Sequence, residues 1–365
     1  MSYYAWMGPI TDDTSAIDGV AISIAANKWQ KTVLDAWTTS GTQFTALGFI
    51  PAPTWPRGAM HQAQKESMVG YINIVPLRSA SLIFSLHRAM RRMIAKYGKP
   101  RVLFTYNAPI PHLAVAQLAR RSGIAWVPII ADVPDVKLSY LVHEMGVAHA
   151  DGAIFLSWHS FIASRIKKKL HFEGIVRKPV ASLPEPRMPA ILFTGTLNRY
   201  GGVELALDAF ARVRTPDVQL WICGKGDARI VELHARRDKR IKFFGVVTDN
   251  KIEELSRHAL AFINPRPPHL AANARNFPSK LLEYLAFAKP IISTWTNGIP
   301  PHYRAVLRVV EPNPAAIARE VELLLATTAD ELAQESERIG SFVAEHLSTE
   351  GQIARLNRWA TQLCP

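Results

Sequence analysis

The feature that most constrains this chain is an alternation of short apolar runs and helical patterns that halts at a proline-rich stretch and then restarts. "RVLFTY" (Arg101–Tyr106) reads as a buried strand, and "HLAVAQLARRSG" as the helix after it, closed by Gly123. "IAWVPIIADVPD" is a second strand ending in acids and prolines, and "HADGAIFLS" is a third. After "KPVASLPEPRMPA" (Lys178–Ala190) the pattern begins again. "ILFTGTL" leads to "GGVELALDAFARV", "VQLWICGKGD" to "ARIVELHARRD", and "IKFFGVV" to "NKIEELSRHA". "LAFINPR" follows, then "NFPSKLLEYLAFAKPIIST" (Asn276–Thr294). Such alternation predicts an α/β fold with parallel sheets, and the restart predicts two such domains. A chain of 365 residues is also too long for one ordinary core. A ligand site is expected at the carboxyl ends of the strands, between the domains.

Composition narrows the function classes. Two cysteines far apart, Cys223 and Cys364, suggest neither a disulfide framework nor a zinc site, so a reducing, cytoplasmic setting is expected. The N-terminus shows no secretory pattern, and no apolar run reaches the roughly 18 residues of a membrane span. The net charge of +13 asks for an anionic partner. It is uneven: residues 1–183 hold 20 Lys/Arg against 10 Asp/Glu, and residues 184–365 hold 23 against 20. No nucleic-acid-binding motif accompanies it. "HEMGVAH" (His143–His149) lacks the HExxH spacing, so no metal site is expected.

The strand ends of the second half carry the chemistry. "FTGTLNRYGG" places Gly195, Thr196 and Gly201-Gly202 at a strand-to-helix turn. "ICGKGD" places Gly224 and Gly226 at the next, and "FFGVV" places Gly245 at the third. A glycine turn is common in any such fold, but it also lets backbone N–H groups approach an anion. Three in succession, followed by Arg266 and then Lys280 and Glu283, offer cations for phosphates and a carboxylate acceptor for a ribose diol.

In order and spacing, "ILFTGTLNRYGGVELALDAF", "LWICGKGD", "IKFFGVVTDNKIEELSRHALAFINPR" and "FPSKLLEYLAFAKPIISTWTNGIPPHY" resemble the donor-binding domain of GT-B glycosyltransferases, specifically the retaining glycosyltransferase family 4. The resemblance covers roughly residues 188–345. It implies two Rossmann-like domains with parallel sheets facing across a cleft: an acceptor domain over 1–183, a nucleotide-sugar domain over 184–348, and a segment over 349–365 that crosses back. "HADGAIFLS" is similar to the last strand of the acceptor domain. The implied donor-binding positions are Gly195, Thr196, Arg199, Gly224, Lys225, Gly245, Val246, Arg266, Ser279, Lys280 and Glu283. Glu283 would accept hydrogen bonds from the ribose hydroxyls, while Ser279 and Lys280 hold the diphosphate. No cofactor or bound metal is implied; the nucleotide-diphosphate sugar is a co-substrate. The implied activity is transfer of a hexose to a glycan or lipid-linked saccharide, in a surface-polysaccharide setting. A sugar-nucleotide epimerase or hydrolase, or a non-catalytic nucleotide-sugar-binding subunit, shares the pattern.

The chain also departs from the family. Arg275 stands where the first of two glutamates belongs, and Thr196 and Gly201 replace an arginine and a lysine. Arg199, Arg266 and Lys280 are then the candidates for neutralising the diphosphate. In the first domain Tyr106-Asn107 replace a histidine near the sugar, and Ala131-Asp132 replace a His-Asp pair. Asp132 and Asp135 end an apolar strand and are candidates to orient or deprotonate an acceptor hydroxyl, with Tyr106 and Asn107 beside them. His112 reads as a cap-region histidine. Over Leu82–Arg101, a helical plot puts Leu82, Leu86, Met90, Met93 and Tyr97 in one stripe and Arg88, Arg91, Arg92 and Lys96 opposite. With the basic run Arg165 and Lys167–Lys169, this predicts an anionic membrane surface as a partner.

Overall fold

The computed structural model describes residues 3–10, 24–62, 68–131, 144–176 and 188–363. The chain divides into two compact units. Unit 1 is drawn from Met1–Leu156, Ser160–Gly174 and Glu350–Pro365, and unit 2 from Ser157–His159 and Ile175–Thr349.

Unit 1 is built on a six-stranded sheet of order β2-β1-β5-β6-β7-β8. The strands are β1 (Tyr3–Gly8), β2 (Gln43–Gly48), β5 (Val102–Tyr106), β6 (Ala125–Ile130), β7 (Ala153–Phe155) and β8 (Lys169–His171), all pairing in parallel. A two-residue antiparallel pair, β3 (His61–Gln62) and β4 (Tyr71–Ile72), stands apart. Thus "HADGAIFLS" supplies β7, and the edge strand is the next one. That edge begins at Lys169, the last residue of the basic run read as a surface patch; Leu170 and His171 turn inward while Lys167 and Lys168 stay exposed. Lys169-Leu170-His171 offers no apolar run of the kind that marks the equally short β7.

One face of this sheet is aromatic. Tyr4, Trp6, Trp37 and Phe104 are almost wholly buried. Tyr4 stacks on Trp37 at 5.5 Å, and Trp6 meets Trp37 edge-on at 5.6 Å. Buried indoles need an acceptor for the ring N–H. Trp6 Nε1 donates to Gln30 Oε1 (3.1 Å), Trp29 Nε1 to the Glu173 carbonyl (2.9 Å) and Trp37 Nε1 to Asn357 Oδ1 (3.1 Å). Asn357 belongs to the Thr349–Thr361 helix, which packs on unit 1 and whose Arg355 donates to the His171 carbonyl at 2.6 Å. The other face is mixed, with Trp126 and Phe155 among aliphatic residues such as Leu47, Leu103 and Ile130. There the Leu77–Tyr97 helix buries Leu82, Leu86, Met90 and Met93, spaced to share one side. The helix starts five residues before Leu82 and stops at Gly98, whose φ of 84° suits a residue without Cβ. Tyr97 lies in its last turn, past the sheet, and is exposed rather than part of the stripe.

Unit 2 carries the order β11-β10-β9-β12-β13-β14, again all parallel. The strands are β9 (Met188–Thr194), β10 (Gln219–Cys223), β11 (Ile241–Gly245), β12 (Ala259–Asn264), β13 (Ile291–Thr294) and β14 (Arg308–Val310). The chain winds outward from β9 to β11 and then returns to β12 on the other side of β9. Order therefore reverses between β9 and β12, the place where such sheets open a crevice at their carboxyl ends. The core is aliphatic, with Ile191, Leu207, Val218, Leu220, Ile222 and Val231 among its buried members. Helix starts are capped as their residues require: Asp227 accepts from the Arg229 N–H, Asn313 from Ala316, and Thr328 with Glu331 forms a capping box. Lys289 is 5% exposed. Its Nζ caps the carboxyl end of the Asp249–His258 helix, donating to the carbonyls of Ser256 (2.8 Å), Ala259 (2.6 Å) and Arg257.

Candidate functional site

The residues expected to bind a donor lie at the carboxyl ends of β9, β10, β11 and β12. Gly195 and Thr196 follow β9, Gly224 and Lys225 follow β10, Gly245 ends β11 with Val246 after it, and Arg266 follows β12. Glycine here is demanded by the protein's own loops. A Cβ on Gly224 would stand 1.8 Å from the Gly195 carbonyl oxygen, and one on Gly202 would stand 2.0 Å from that of Pro265. A Cβ on Gly226 would meet the Leu197 oxygen at 2.5 Å. The N–H groups are spent in the same way: Gly195 donates to the Cys223 carbonyl (3.0 Å) and Gly224 to that of Gly245 (2.9 Å). The turns thus stitch strand ends to one another. Gly195 itself has room for a Cβ, with nothing nearer than 3.5 Å.

Lys280 and Glu283 lie on the short helix Lys280–Leu285, which opens on Ser279. The helix has only six residues, and Ser279 is itself helical and makes no side-chain cap. A helix of that length adds little dipole, so charge here rests on side chains rather than on the helix end. Lys280 Nζ and Glu283 Oε2 are 2.8 Å apart, and each side chain is about a quarter exposed (27% and 26%). The helix is pinned by the residue after Glu283. Tyr284 Oη accepts from the Thr194 N–H (3.0 Å) and the Thr194 hydroxyl (3.1 Å), and donates to the Thr194 carbonyl (3.2 Å). Its ring stacks on Phe262 of β12 at 4.5 Å and 9°. Burial pushes the Tyr284 phenol up to about 12, so it stays a donor throughout the physiological range. One side chain therefore spans β9, β12 and the Lys280–Glu283 helix, at the point where strand order reverses.

Two further buried groups hold the surrounding loops. Asn273 donates through Nδ2 to the carbonyls of Tyr200 (2.9 Å) and Pro267 (3.1 Å), tying the loop after β9 to the loop after β12. Thr294 Oγ1 donates to the Arg266 carbonyl at 2.6 Å. Sequence reasoning missed Tyr284, Asn273 and Thr294; the only visible signal was one tyrosine amid an aliphatic run. Among the other cations, Arg199 is exposed and turned onto Tyr200, donating to its hydroxyl at 2.8 Å with the guanidinium 4.8 Å from the ring. Lys225 is exposed, and so is Val246 (73%). Arg275, standing in the place of a glutamate, is exposed, and its carbonyl accepts from Ser157.

In unit 1, Asp132 and Asp135 lie outside the described residues, as does His143. Tyr106 is 6% exposed and tilts against Trp29 at 5.8 Å, inside the aromatic layer. Asn107 takes φ of 57°, and its Oδ1 accepts from the Ala131 N–H at 2.9 Å, clamping the ends of β5 and β6. His112 lies in the first turn of the Ile110–Arg121 helix, as a cap-region residue, and is fully buried there. Its Nε2 has no partner, and burial holds the imidazole down at about 4. Among the described residues no group of three or more His, Cys, Asp or Glu is placed to hold a metal ion. None of the described helices is long and apolar enough to cross a membrane.

Comparisons with known proteins bear on the fold. Residues 188–327, which include β9 to β14 and the Lys280–Glu283 helix, match the family model for glycosyl transferases group 1. No curated protein matches the chain by sequence. Among solved structures, a glycosyltransferase from Rickettsia africae is similar with a TM-score of 0.72 at 14% identity, covering 99% of this chain and 98% of that one. Sucrose-phosphate synthase from Thermosynechococcus elongatus gives 0.70 at 16% identity, covering 100% and 99%. The Anabaena protein HepE in complex with UDP gives 0.66 at 11% identity, covering 99% and 100%. The chain has the GT-B fold of two Rossmann-like units, and its residues 188–327 match the model of glycosyl transferases group 1.

Proposed function

We propose that unit 2 binds a nucleotide-diphosphate sugar and that the chain transfers its sugar, with retention at the anomeric carbon, to a saccharide on a glycan or lipid carrier in surface-polysaccharide synthesis. The observation that carries this reading is the Lys280–Glu283 pair, part-exposed and pinned through Tyr284 to the end of β9 at the strand-order reversal. A ribose diol offers two O–H donors, and the Glu283 carboxylate accepts them. Lys280, already beside it, is then free to turn toward the diphosphate. Arg266 and Arg199 supply the remaining positive charge on neighbouring loops. Charge on the leaving diphosphate grows as the glycosidic bond breaks, so cations placed there stabilise the transition state more than the bound donor. In this reading the cations do the neutralising, and turnover persists in EDTA.

The direct test is Glu283→Ala, with nucleotide binding measured by calorimetry across UDP, GDP, ADP and TDP. Loss of a charged hydrogen-bond acceptor is expected to weaken binding of the preferred nucleotide by about 1.5–3 kcal/mol. Unchanged affinity in a folded variant, or a strict divalent-metal requirement for turnover, would count against the proposal. A transfer assay with the matching nucleotide-sugar separates an enzyme from a subunit that binds donor without turnover.

A further inference from the structure

We infer that unit 1 presents a surface that lies against an anionic lipid bilayer, in which Val75, Leu77 and Phe84 enter the interface and Arg88, Arg91 and Arg92 meet the headgroups. The charge pattern is one-sided. From Ser67 to Ala131 the chain contains nine Lys/Arg and no Asp or Glu. A solvated surface ordinarily mixes both signs; here Arg120 pairs with Asp151 from outside the segment, and the segment itself supplies no acid.

The helix geometry puts apolar and cationic groups on the same side. At 100° per residue, Leu77, Phe84, Arg88 and Arg91 fall within an arc of about 60°, and Arg92 lies about 40° beyond it. The opposite face is already used, since Leu82, Leu86, Met90 and Met93 fill the core of unit 1. The exposed apolar groups are therefore not core residues that packing required. Val75 is 70% exposed, Leu77 52% and Phe84 67%. Isolated exposed hydrophobics are ordinary, but Leu77 and Phe84 share one helix face and Val75 lies two residues ahead of it in the chain. Two more join its tip. Arg78 Nη1 donates to Thr54 Oγ1 at 3.2 Å, and Asn73 joins the Trp55 N–H and the Met60 carbonyl at 3.1 and 2.7 Å. These bonds bring exposed Trp55 and Met60 beside the start of the helix.

The mixture selects the partner. A nucleic acid or soluble polyanion would be met by the arginines alone, and Val75, Leu77 and Phe84 would gain nothing from it. A bilayer rewards both: acyl-chain boundary for the apolar tip, and phosphate for guanidinium groups on long apolar stems. The strip from Leu77 to Arg91 is about 21 Å long, so it lies along the membrane plane rather than across it.

The test is co-sedimentation of the full chain with vesicles of phosphatidylcholine containing phosphatidylglycerol, beside vesicles of phosphatidylcholine alone. Two variants are compared, R88Q/R91Q/R92Q and V75S/L77S/F84S, after thermal melts confirm that each folds. All six side chains are exposed, so both variants should melt near wild type. Wild type is expected to bind the anionic vesicles at low salt and to weaken sharply toward 1 M salt, where the Debye length falls to about 3 Å. At about 1 kcal/mol per cation, the arginine variant should bind roughly 100-fold more weakly. The serine variant should lose at least 10-fold and keep no binding at high salt. Equal partitioning of wild type and either variant overturns the bilayer surface. A loss confined to the arginine variant reassigns the patch to a generic polyanion. Vesicle binding needs no nucleotide, so its failure leaves the donor reading intact, and loss of nucleotide binding leaves this one intact.

Discussion

The two six-stranded sheets are built alike and closed differently. Unit 2 brings its strand ends together by backbone contact: Gly202 under Pro265, Gly224 under Gly195, Gly226 under Leu197. Unit 1 closes its corresponding ends with side chains: Tyr106 against Trp29, Asn107 clamped to Ala131, His112 buried beneath. Backbone-to-backbone contact leaves a motif in sequence, because only glycine fits. Side-chain closure leaves none, because many combinations of aromatic and polar residues fill the same space. The resemblance to a known family rests on unit 2, and the family match covers residues 188–327 within it.

The sharpest way to break that contrast is Gly202→Ala. Its Cβ would strike the Pro265 carbonyl oxygen, and its φ of 78° is left-handed. A loss of about 3 kcal/mol or more in urea unfolding is expected. Gly245→Ala is the control: φ is 69° but nothing lies within 4 Å, so only the left-handed cost of about 1 kcal/mol is expected. Similar losses at both sites would show that close approach is not what selects glycine in unit 2.

In unit 1 the matching test is acid stability. His112 has an ordinary pKa of 6.5 when unfolded and about 4 when buried. Between those values the unfolded chain binds the extra proton, so stability rises with pH there. It is fully retained above about pH 6.5 and eroded by about 3 kcal/mol as pH falls toward 4. His112→Leu should flatten that slope in urea titrations at pH 4.5 and 7. An unchanged slope would move the acid sensitivity elsewhere.

The smallest effect sharpens the comparison most. Tyr284→Phe keeps the ring on Phe262 and removes only the hydroxyl that holds Thr194. A stability loss of about 1 kcal/mol is expected. If the hydroxyl positions Glu283 and Lys280, nucleotide affinity should fall as well, and by more than in a distant variant of equal stability such as Asn313→Ala. Equal affinities in the two would reduce Tyr284 to packing.

Much of this was legible beforehand. The alternation of strands and helices, the restart near Lys178–Ala190 and the glycine turns follow from local propensity and from backbone sterics, which act on neighbours in the chain. Lys280 and Glu283 could be paired from spacing alone. The strand β8 could not be read, because Lys169-Leu170-His171 follows a basic run and forms no apolar run, unlike the equally short β7. Nor could β1 and β2, which sit in a stretch where tryptophans and tyrosines serve strand and helix alike. Burial of His112 depended on Phe49, whose ring meets it edge-on at 5.7 Å from far away in sequence.

The sequence by itself determined the parallel α/β class, the positive excess of the first half and the donor-side motif, because these depend on composition and on contacts a few residues apart. Tertiary structure alone decided that the glycines serve loop packing, that Tyr284 joins the Lys280–Glu283 helix to β9, and that Phe49 covers His112. Each of those outcomes depends on which distant strand or helix arrives alongside. Spacing within one segment cannot encode that, because the energy lies in contacts between segments.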